Sequence, residues 1–429
     1  METENKLKYL KEKIKELAVF RNVLEDPVIL SLLDFISAED SLEAGNFGKL
    51  YWELLAAHET DRFYTPNAWK NHLINLIIWD DNPVTRQGTI SGQNLSDSWR
   101  KALCHDLIIL EELFNLEKLV SINDKFPLLS WENLQVGPKN FIKHHKLTLE
   151  LVEYMLSGKD WTKELNLFLL HYKKLGVGLF GKYHALYWDG RAERFCGVIN
   201  QDKVTFLQLI GYEKERQKVI LNTIKFLKGY PANNVLLYGD RGTGKSSTVK
   251  ALVNEYSHLG LRIIELKKNY LCDFPVIVRQ LSVLPYKFLI FLDDLSFEEH
   301  EVEYKALKGA FEGGLEARPA NVLVYATSNR RHIIRESFTQ REDDIHKRDT
   351  IEEKMSLADR FGLQVAFQSP DQVLYLHIVK ELAKQRQLTI DPKKLEKMAT
   401  QWELRHSGRS GRLAKQFIDY LEGEESLVD

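Results

Sequence analysis

Residues 234–246 read Asn-Val-Leu-Leu-Tyr-Gly-Asp-Arg-Gly-Thr-Gly-Lys-Ser, and Ser247 to Tyr256 continues as a helix-forming stretch. An apolar run, a glycine-rich loop ending in lysine and serine, and then a helix are the three parts of a phosphate-binding loop in its required context. Gly239, Gly242 and Gly244 allow the tight turn that brings successive backbone N–H groups onto phosphate oxygens. The positive end of the following helix dipole adds to the attraction. Lys245 is placed to reach the β and γ phosphates, and Ser246 offers a hydroxyl to a phosphate-bound Mg²⁺, a cation that takes hard oxygen ligands. Gly239, Asp240, Arg241, Gly242, Thr243, Gly244, Lys245, Ser246 and Ser247 are therefore the expected phosphate-contacting residues, and ATP or GTP the expected ligand.

Outward from this loop the chain alternates short apolar runs with amphipathic stretches. Strands are expected at Asn234 to Tyr238, Arg262 to Leu266, Phe288 to Leu292, Val322 to Ala326 and Leu363 to Phe367. Helices are expected between most of them, notably Lys245 to His258 and Glu301 to Glu312. Short buried strands alternating with helices mean a parallel sheet covered on both faces. Beyond Pro370 only helices follow, at Gln372 to Gln385, Lys393 to Trp402 and Gly411 to Leu421.

The run Phe288 to Leu292 ends in Asp293-Asp294, so a buried strand delivers two carboxylates at the edge where ligands of open α/β sheets bind. Asp293 is the better Mg²⁺ ligand and Asp294 the better group for positioning water, with Glu298 and Glu299 as alternatives for that second role. The run Val322 to Ala326 ends in Thr327-Ser328-Asn329, where the Asn329 amide is suited either to the γ phosphate and water or to capping a helix.

Residues 1–175 carry helical periodicity, as at Leu7, Leu10, Ile14 and Leu17. Only about two heptads support a coiled coil, so a surface helix packed on its own domain is the expectation. Further helices are expected at Trp99 to Leu119, Leu147 to Leu156 and Trp161 to Tyr172, with Asn82-Pro83, Gly88, Gly92, Pro127 and Gly137-Pro138 as breaks. Gly176 to Gly181 spells G-x-G-x-x-G, but a helix-like stretch precedes it and a strand-like one follows, the reverse of a dinucleotide fingerprint, so it reads as a turn. Residues 176–205 are read as a linker with short extended segments.

The 429 residues imply about two or three domains. With 44% apolar and 28% charged residues and a formal net charge of −2, the chain is an ordinary globular protein with no global attraction to polyanions. Cys104, Cys196 and Cys272 are far apart and lack ligand spacing, and neither a signal peptide nor an apolar run long enough for a bilayer is visible. A cytoplasmic protein with no membrane partner is expected.

In order and spacing, Gly239 to Ser246, Phe288 to Asp294 and Tyr325 to Asn329 resemble the Walker A, Walker B and sensor 1 motifs of the AAA+ ATPases. Ser356 to Gly362 looks like the box that carries an arginine finger, and Arg409 to Ala414 resembles the start of a sensor 2 helix. Leu209 to Glu213, Pro231 to Asn234, Asp293 to Glu299 and Gly313 to Pro319 are similar to an uncharacterised bacterial family of AAA+ ATP-binding proteins. The resemblance runs from about Thr205 to Phe417 and is much weaker over the N-terminal helices.

It implies an α/β P-loop fold with a five-stranded parallel sheet, helices on both faces, a small all-α C-terminal lid and a mainly helical N-terminal domain. The implied organisation is a partner-binding domain at 1–175, the linker at 176–205, an AAA+ nucleotide-binding domain at 206–369 and the lid at 370–429. Also implied are ATP and Mg²⁺ as cofactors, Gly211 and Tyr212 beside the adenine, Arg412 on the phosphate of its own subunit, and Arg360 on the γ phosphate of a neighbour in a homo-oligomer. Asp294 departs from the glutamate that most AAA+ proteins carry at this place, which implies slow or partner-dependent hydrolysis.

The implied function is an ATPase that remodels or loads an unidentified protein or nucleic-acid partner. An ATP-dependent switch or adaptor with little turnover is the alternative, and a small-molecule kinase a third reading of the same loop. A stretch rich in arginine and histidine from Arg330 to Arg348 fits a nucleic-acid groove, an inter-subunit phosphate site or a solvated loop equally well. His144-His145 has no ligand partner at suitable spacing and reads as surface.

Overall fold

The computed structural model describes residues 2–37, 44–116, 131–132, 145–296, 303, 307–309, 311, 319–329, 359–406 and 408–425. Glu298, Glu299, His144, the stretch from Arg330 to Arg348 and most of the helix expected at 301–312 lie outside these residues. The chain divides into two compact units, Met1–Lys182 and Tyr183–Asp429.

The first unit holds, among the described residues, the helices α1 (Glu2–Lys15), α2 (Pro27–Ser37), α3 (Ala44–Thr60), α4 (Ala68–Ile78), α5 (Pro83–Ser91), α6 (Asp97–Phe114), α7 (Lys146–Leu156), α8 (Leu165–Leu175) and α9 (Gly178–Lys182). Leu10, Ile14 and Leu17 enter one core with Leu54, Trp69, Leu107, Leu110 and Phe168, so α1 packs within its own unit through its 3-4 spacing. Within that unit, His72 is buried and its ring nitrogens meet Asp61 Oδ2 at 2.7 Å and Asp26 Oδ1 at 3.0 Å.

Of the expected breaks, Asn82-Pro83 does separate α4 from α5, whereas Gly88 interrupts no helix. Pro83 opens α5, where its missing N–H costs nothing, and Asn82 caps the helix by accepting from Val84 and Thr85. Gly88 lies inside α5, where α8 packs closely against it at Leu169 and Tyr172. The G-x-G-x-x-G stretch is a turn only at Gly176 and Val177, where Gly176 caps the end of α8; from Gly178 on it is the short helix α9.

The second unit is built on a seven-stranded sheet, not the five strands expected. β1 (Ala185–Asp189) and β2 (Arg194–Gly197) join β3 (Val235–Gly239), β4 (Leu261–Glu265), β5 (Lys287–Leu292), β6 (Val322–Ser328) and β7 (Leu363–Phe367) in the order β2-β1-β4-β5-β6-β3-β7. Only β1 and β2 pair antiparallel; every other neighbouring pair is parallel. The two additional strands come from the stretch read as a linker. Ala185 to Tyr187 pair with Ile263 to Glu265, a contact across nearly eighty residues that no local pattern encodes.

Helices α10 (Glu213–Leu227), α11 (Lys245–Tyr256) and α12 (Phe274–Ser282) accompany this sheet. Val235, Leu236 and Leu237 are fully buried, as a parallel strand covered on both faces requires. Helices α13 (Gln372–Gln385), α14 (Pro392–Arg405) and α15 (Gly411–Glu425) then form a small bundle around Tyr375, Val379, Ala399, Ala414 and Phe417.

Candidate functional site

Because the sheet is parallel, the carboxyl ends of β3, β5 and β6 open on one edge, and the strand order puts β6 between the other two. The glycine loop after β3 and the acids after β5 thus stand one strand apart, with the end of β6 between them. A cavity of about 990 Å³ opens at this edge, lined by the loop, both acids, the segment before α10 and the helices α13 and α15.

Glycine is required at two points of the loop. Gly239 has φ +128° in register with Phe367 of β7, and a Cβ there would strike the Phe367 backbone. Gly242, with φ +76°, lies so close to α15 that a Cβ would come within 2.9 Å of Arg412 Cβ and 3.0 Å of Ser410 Oγ. The backbone seals this approach, since Arg412 N donates to the Gly242 carbonyl at 3.0 Å.

Beyond the loop α11 begins at Lys245, and its side chain turns back over the glycines. The ammonium donates to the carbonyls of Gly239 at 2.8 Å and Asp240 at 2.7 Å, and to Asn329 Oδ1 at 3.4 Å. Burial holds its pKa below the usual lysine value, while Asp240, Asp294 and Asp293 work in the opposite direction. A desolvated cation over a ring of backbone dipoles is suited to phosphate oxygens.

A chain of polar contacts runs on from Asn329. Its Nδ2 donates to Asp294 Oδ1. Asp294 N donates to Thr327 Oγ1 at 2.8 Å, Thr327 Oγ1 donates to Asp293 Oδ1 at 2.6 Å, and Ser246 Oγ donates to the same carboxylate oxygen at 2.6 Å. Asp294 holds a left-handed backbone, φ +52°, a conformation that aspartate and asparagine tolerate better than longer side chains.

The other expected residues take distinct places. Arg241, Thr243, Gly244, Ser247 and Arg412 line the cavity. Asp240 is exposed, and its carboxylate accepts from Ser369 N at 2.9 Å, tying the loop to the chain beyond β7. Tyr212 lines the cavity beside Leu209 and Ile210, with its ring 5.4 Å from Phe367 and its hydroxyl donating to the Gln368 carbonyl at 2.6 Å. Burial, with help from Asp240, pushes that hydroxyl up to about 12. Gly211 does not line the cavity; its carbonyl is held by the Arg216 guanidinium.

Arg360 is not brought into this cavity. It is exposed and precedes the amino end of β7, whereas the loop leaves the carboxyl end of β3, parallel to it. One strand length, roughly 15 Å or more, separates Arg360 from the glycine loop.

Two contributors went unread in the sequence. Arg216, almost fully buried, also donates to Leu209 O at 2.7 Å and so shapes the loop that carries Tyr212. Thr327 joins the two acids. Thr327 stands at the end of a recognised strand, and its position opposite Asp293 was the available signal. Nothing in the local pattern marks Arg216.

The donor set fits the cofactors that the loop implies. Ser246 and Asp293 present hard oxygens side by side at the start of a helix, suited to a Mg²⁺ that keeps several waters. No cluster of three or more His, Cys, Asp or Glu side chains able to enclose a metal occurs among the described residues. No helix among them is long and apolar enough to cross a membrane.

Residues 181–425 match the family model described as "Protein of unknown function (DUF815)". No curated protein matches the chain. Among solved structures, the RuvB Holliday junction branch migration motor of Thermotoga maritima is similar at 18% identity and a TM-score of 0.37, over 53% of this chain and 67% of that one. The ORC1 protein of Aeropyrum pernix, solved in complex with DNA, is similar at 16% identity and a TM-score of 0.37, over 50% of this chain and 59% of that one.

Proposed function

The chain belongs to the DUF815 family, and from that premise we propose that it is a Mg²⁺-ATP-binding P-loop ATPase of the AAA+ type. One observation carries the reading: the contacts that run from Lys245 through Asn329, Asp294, Thr327 and Asp293 to Ser246 unite three strand ends around one cavity. Phosphoryl transfer needs charge stabilisation and positioning more than covalent chemistry, and each part is supplied by a residue of this edge.

The loop from Gly239 to Gly244 and the first turn of α11 hold phosphate oxygens, with Lys245 on the β and γ phosphates. Ser246 and Asp293 hold Mg²⁺, which when bound neutralises charge developing on the phosphates. Asp294 accepts the proton of the attacking water, and Asn329 fixes the direction in which that carboxylate points. Arg412 reaches the phosphates from the lid, and Tyr212, Leu209 and Ile210 border the base.

Arg360 serves a neighbouring copy. Its distance from its own loop and its exposure support a homo-oligomer with nucleotide between subunits, in which one copy's guanidinium meets the other's γ phosphate. The client is a protein or a nucleic acid chosen by the unit before residue 183, and the cell compartment is the cytoplasm.

A nucleotide switch with little turnover is the second reading, favoured by one observation. Asp294, shorter by one methylene than glutamate, stands on a left-handed backbone with its carboxylate tied to Asn329. Measured ATP binding and phosphate release separate the two. Lys245→Ala is expected to abolish binding, and Asp294→Asn to keep binding while stopping turnover. Equal turnover by the wild type and both variants would overturn the ATPase reading, and tight binding without turnover in the wild type would leave the switch.

A further inference from the structure

We propose that Thr327 is the positioning residue that sets both acids of the cavity, and with them the Mg²⁺ response of nucleotide binding; the inference rests on the function proposed above. Thr327 is buried at the end of β6, 2% exposed, and the register Leu292 to Ala326 puts it opposite Asp293. Three bonds fasten three consecutive residues to it. Its hydroxyl donates to Asp293 Oδ1 at 2.6 Å and accepts from Asp294 N at 2.8 Å, and its carbonyl accepts from Leu295 N at 2.7 Å.

The directions of these bonds are fixed by chemistry. An amide N–H can only donate and a carboxylate only accept, so the single hydroxyl proton of Thr327 must point at Asp293. Asp293 Oδ1 then receives two hydroxyl protons, from Thr327 and from Ser246, and the carboxylate is held in one rotation. The same hydroxyl anchors the N–H of Asp294, whose φ of +52° needs such support. One side chain outside the glycine loop therefore orients the acid on the Mg²⁺ side and the backbone of the acid on the water side.

The phosphate cradle makes no use of this hydroxyl: Lys245 and the loop carbonyls are joined without it. Its removal should weaken what depends on Mg²⁺ and spare what depends on the loop. The test is titration of the full chain with a fluorescent ATP analogue, first in EDTA and then at rising Mg²⁺, for wild type, Thr327→Val, Thr327→Ala, Thr327→Ser and Lys245→Ala, each checked by thermal melting.

In EDTA the three Thr327 variants should bind within about twofold of wild type. In Mg²⁺ the concentration giving half of the response should rise about tenfold for Val and Ala and stay within about twofold for Ser, as expected when one buried hydrogen-bonding partner is lost and then restored. A wild-type Mg²⁺ response in Thr327→Val or Thr327→Ala, or an equal loss in EDTA and in Mg²⁺, overturns the positioning role alone. Wild-type protein that binds no analogue, or binds it no better than Lys245→Ala, overturns the proposed function and this inference with it.

Discussion

Ser246 Oγ donates to Asp293 Oδ1 at 2.6 Å, joining the first turn of α11 to the residue that follows β5. The two strands that lead to these residues, β3 and β5, are not neighbours; β6 runs between them. The contact therefore closes across the intervening strand, and any change that shifts one of the three strand ends is felt at the pair.

If Arg360 acts on a neighbouring copy, assembly should depend on nucleotide and on its guanidinium. Light scattering of the wild type with ATP and Mg²⁺ should report a species several times the chain mass, and Arg360→Ala should stay a monomer while binding ATP with wild-type affinity. A wild type that remains monomeric at every ATP concentration would exclude the shared site.

Gly242→Ala should loosen the packing of α15 on the loop. The new methyl would meet Arg412 and Ser410 at about 3 Å in a left-handed backbone, and relieving that contact means moving α15 away from the loop. A loss of about 1–3 kcal/mol in stability is expected, with a matching fall in nucleotide affinity, read by denaturant unfolding and calorimetric titration. Unchanged values would mean that α15 is free to move at no cost.

Restoring the common glutamate should not help. Asp294→Glu puts a longer side chain on a backbone at φ +52° and displaces the carboxylate from Asn329. The variant is expected to melt lower than wild type and to hydrolyse ATP no faster, by parallel thermal and phosphate-release assays. Faster turnover would show that length, not orientation, limits the reaction.

The first unit should lose stability in alkali. Burial alone disfavours charged His72, but hydrogen bonds and charge from Asp26 and Asp61 outweigh it and raise its pKa from 6.5 to about 9. The folded chain thus binds this proton more tightly than the unfolded one. The stabilisation is complete below about pH 6.5 and disappears as pH rises through about 9. Melting temperatures should fall across that window, and His72→Gln should flatten the fall.

Much of the edge was legible because its parts are local. The five parallel strands from β3 onward were each recognisable by an apolar run, and Leu363–Phe367 was placed to the residue. The glycine loop, Asp293, Asp294 and Asn329 follow directly from such runs. What escaped depends on how the chain folds back on itself, over long or short separations. β1 and β2 become strands of this sheet only because β4 offers an edge, and Arg216 matters only because the loop at 209–211 folds back over it. The left-handed turn at Asp294 is braced by Thr327 of β6, which no window around residue 294 contains.

The hairpin of β1 and β2 has a practical consequence for anyone preparing the second unit as a fragment. A boundary drawn at residue 206 would strip β4 of its neighbour and leave Leu261, Ile263 and Ile264 on an open strand, a template for pairing with other molecules. Begun at Tyr183, the fragment keeps its own selvage, and its tendency to precipitate becomes a matter of two short strands rather than of the buried strand β4.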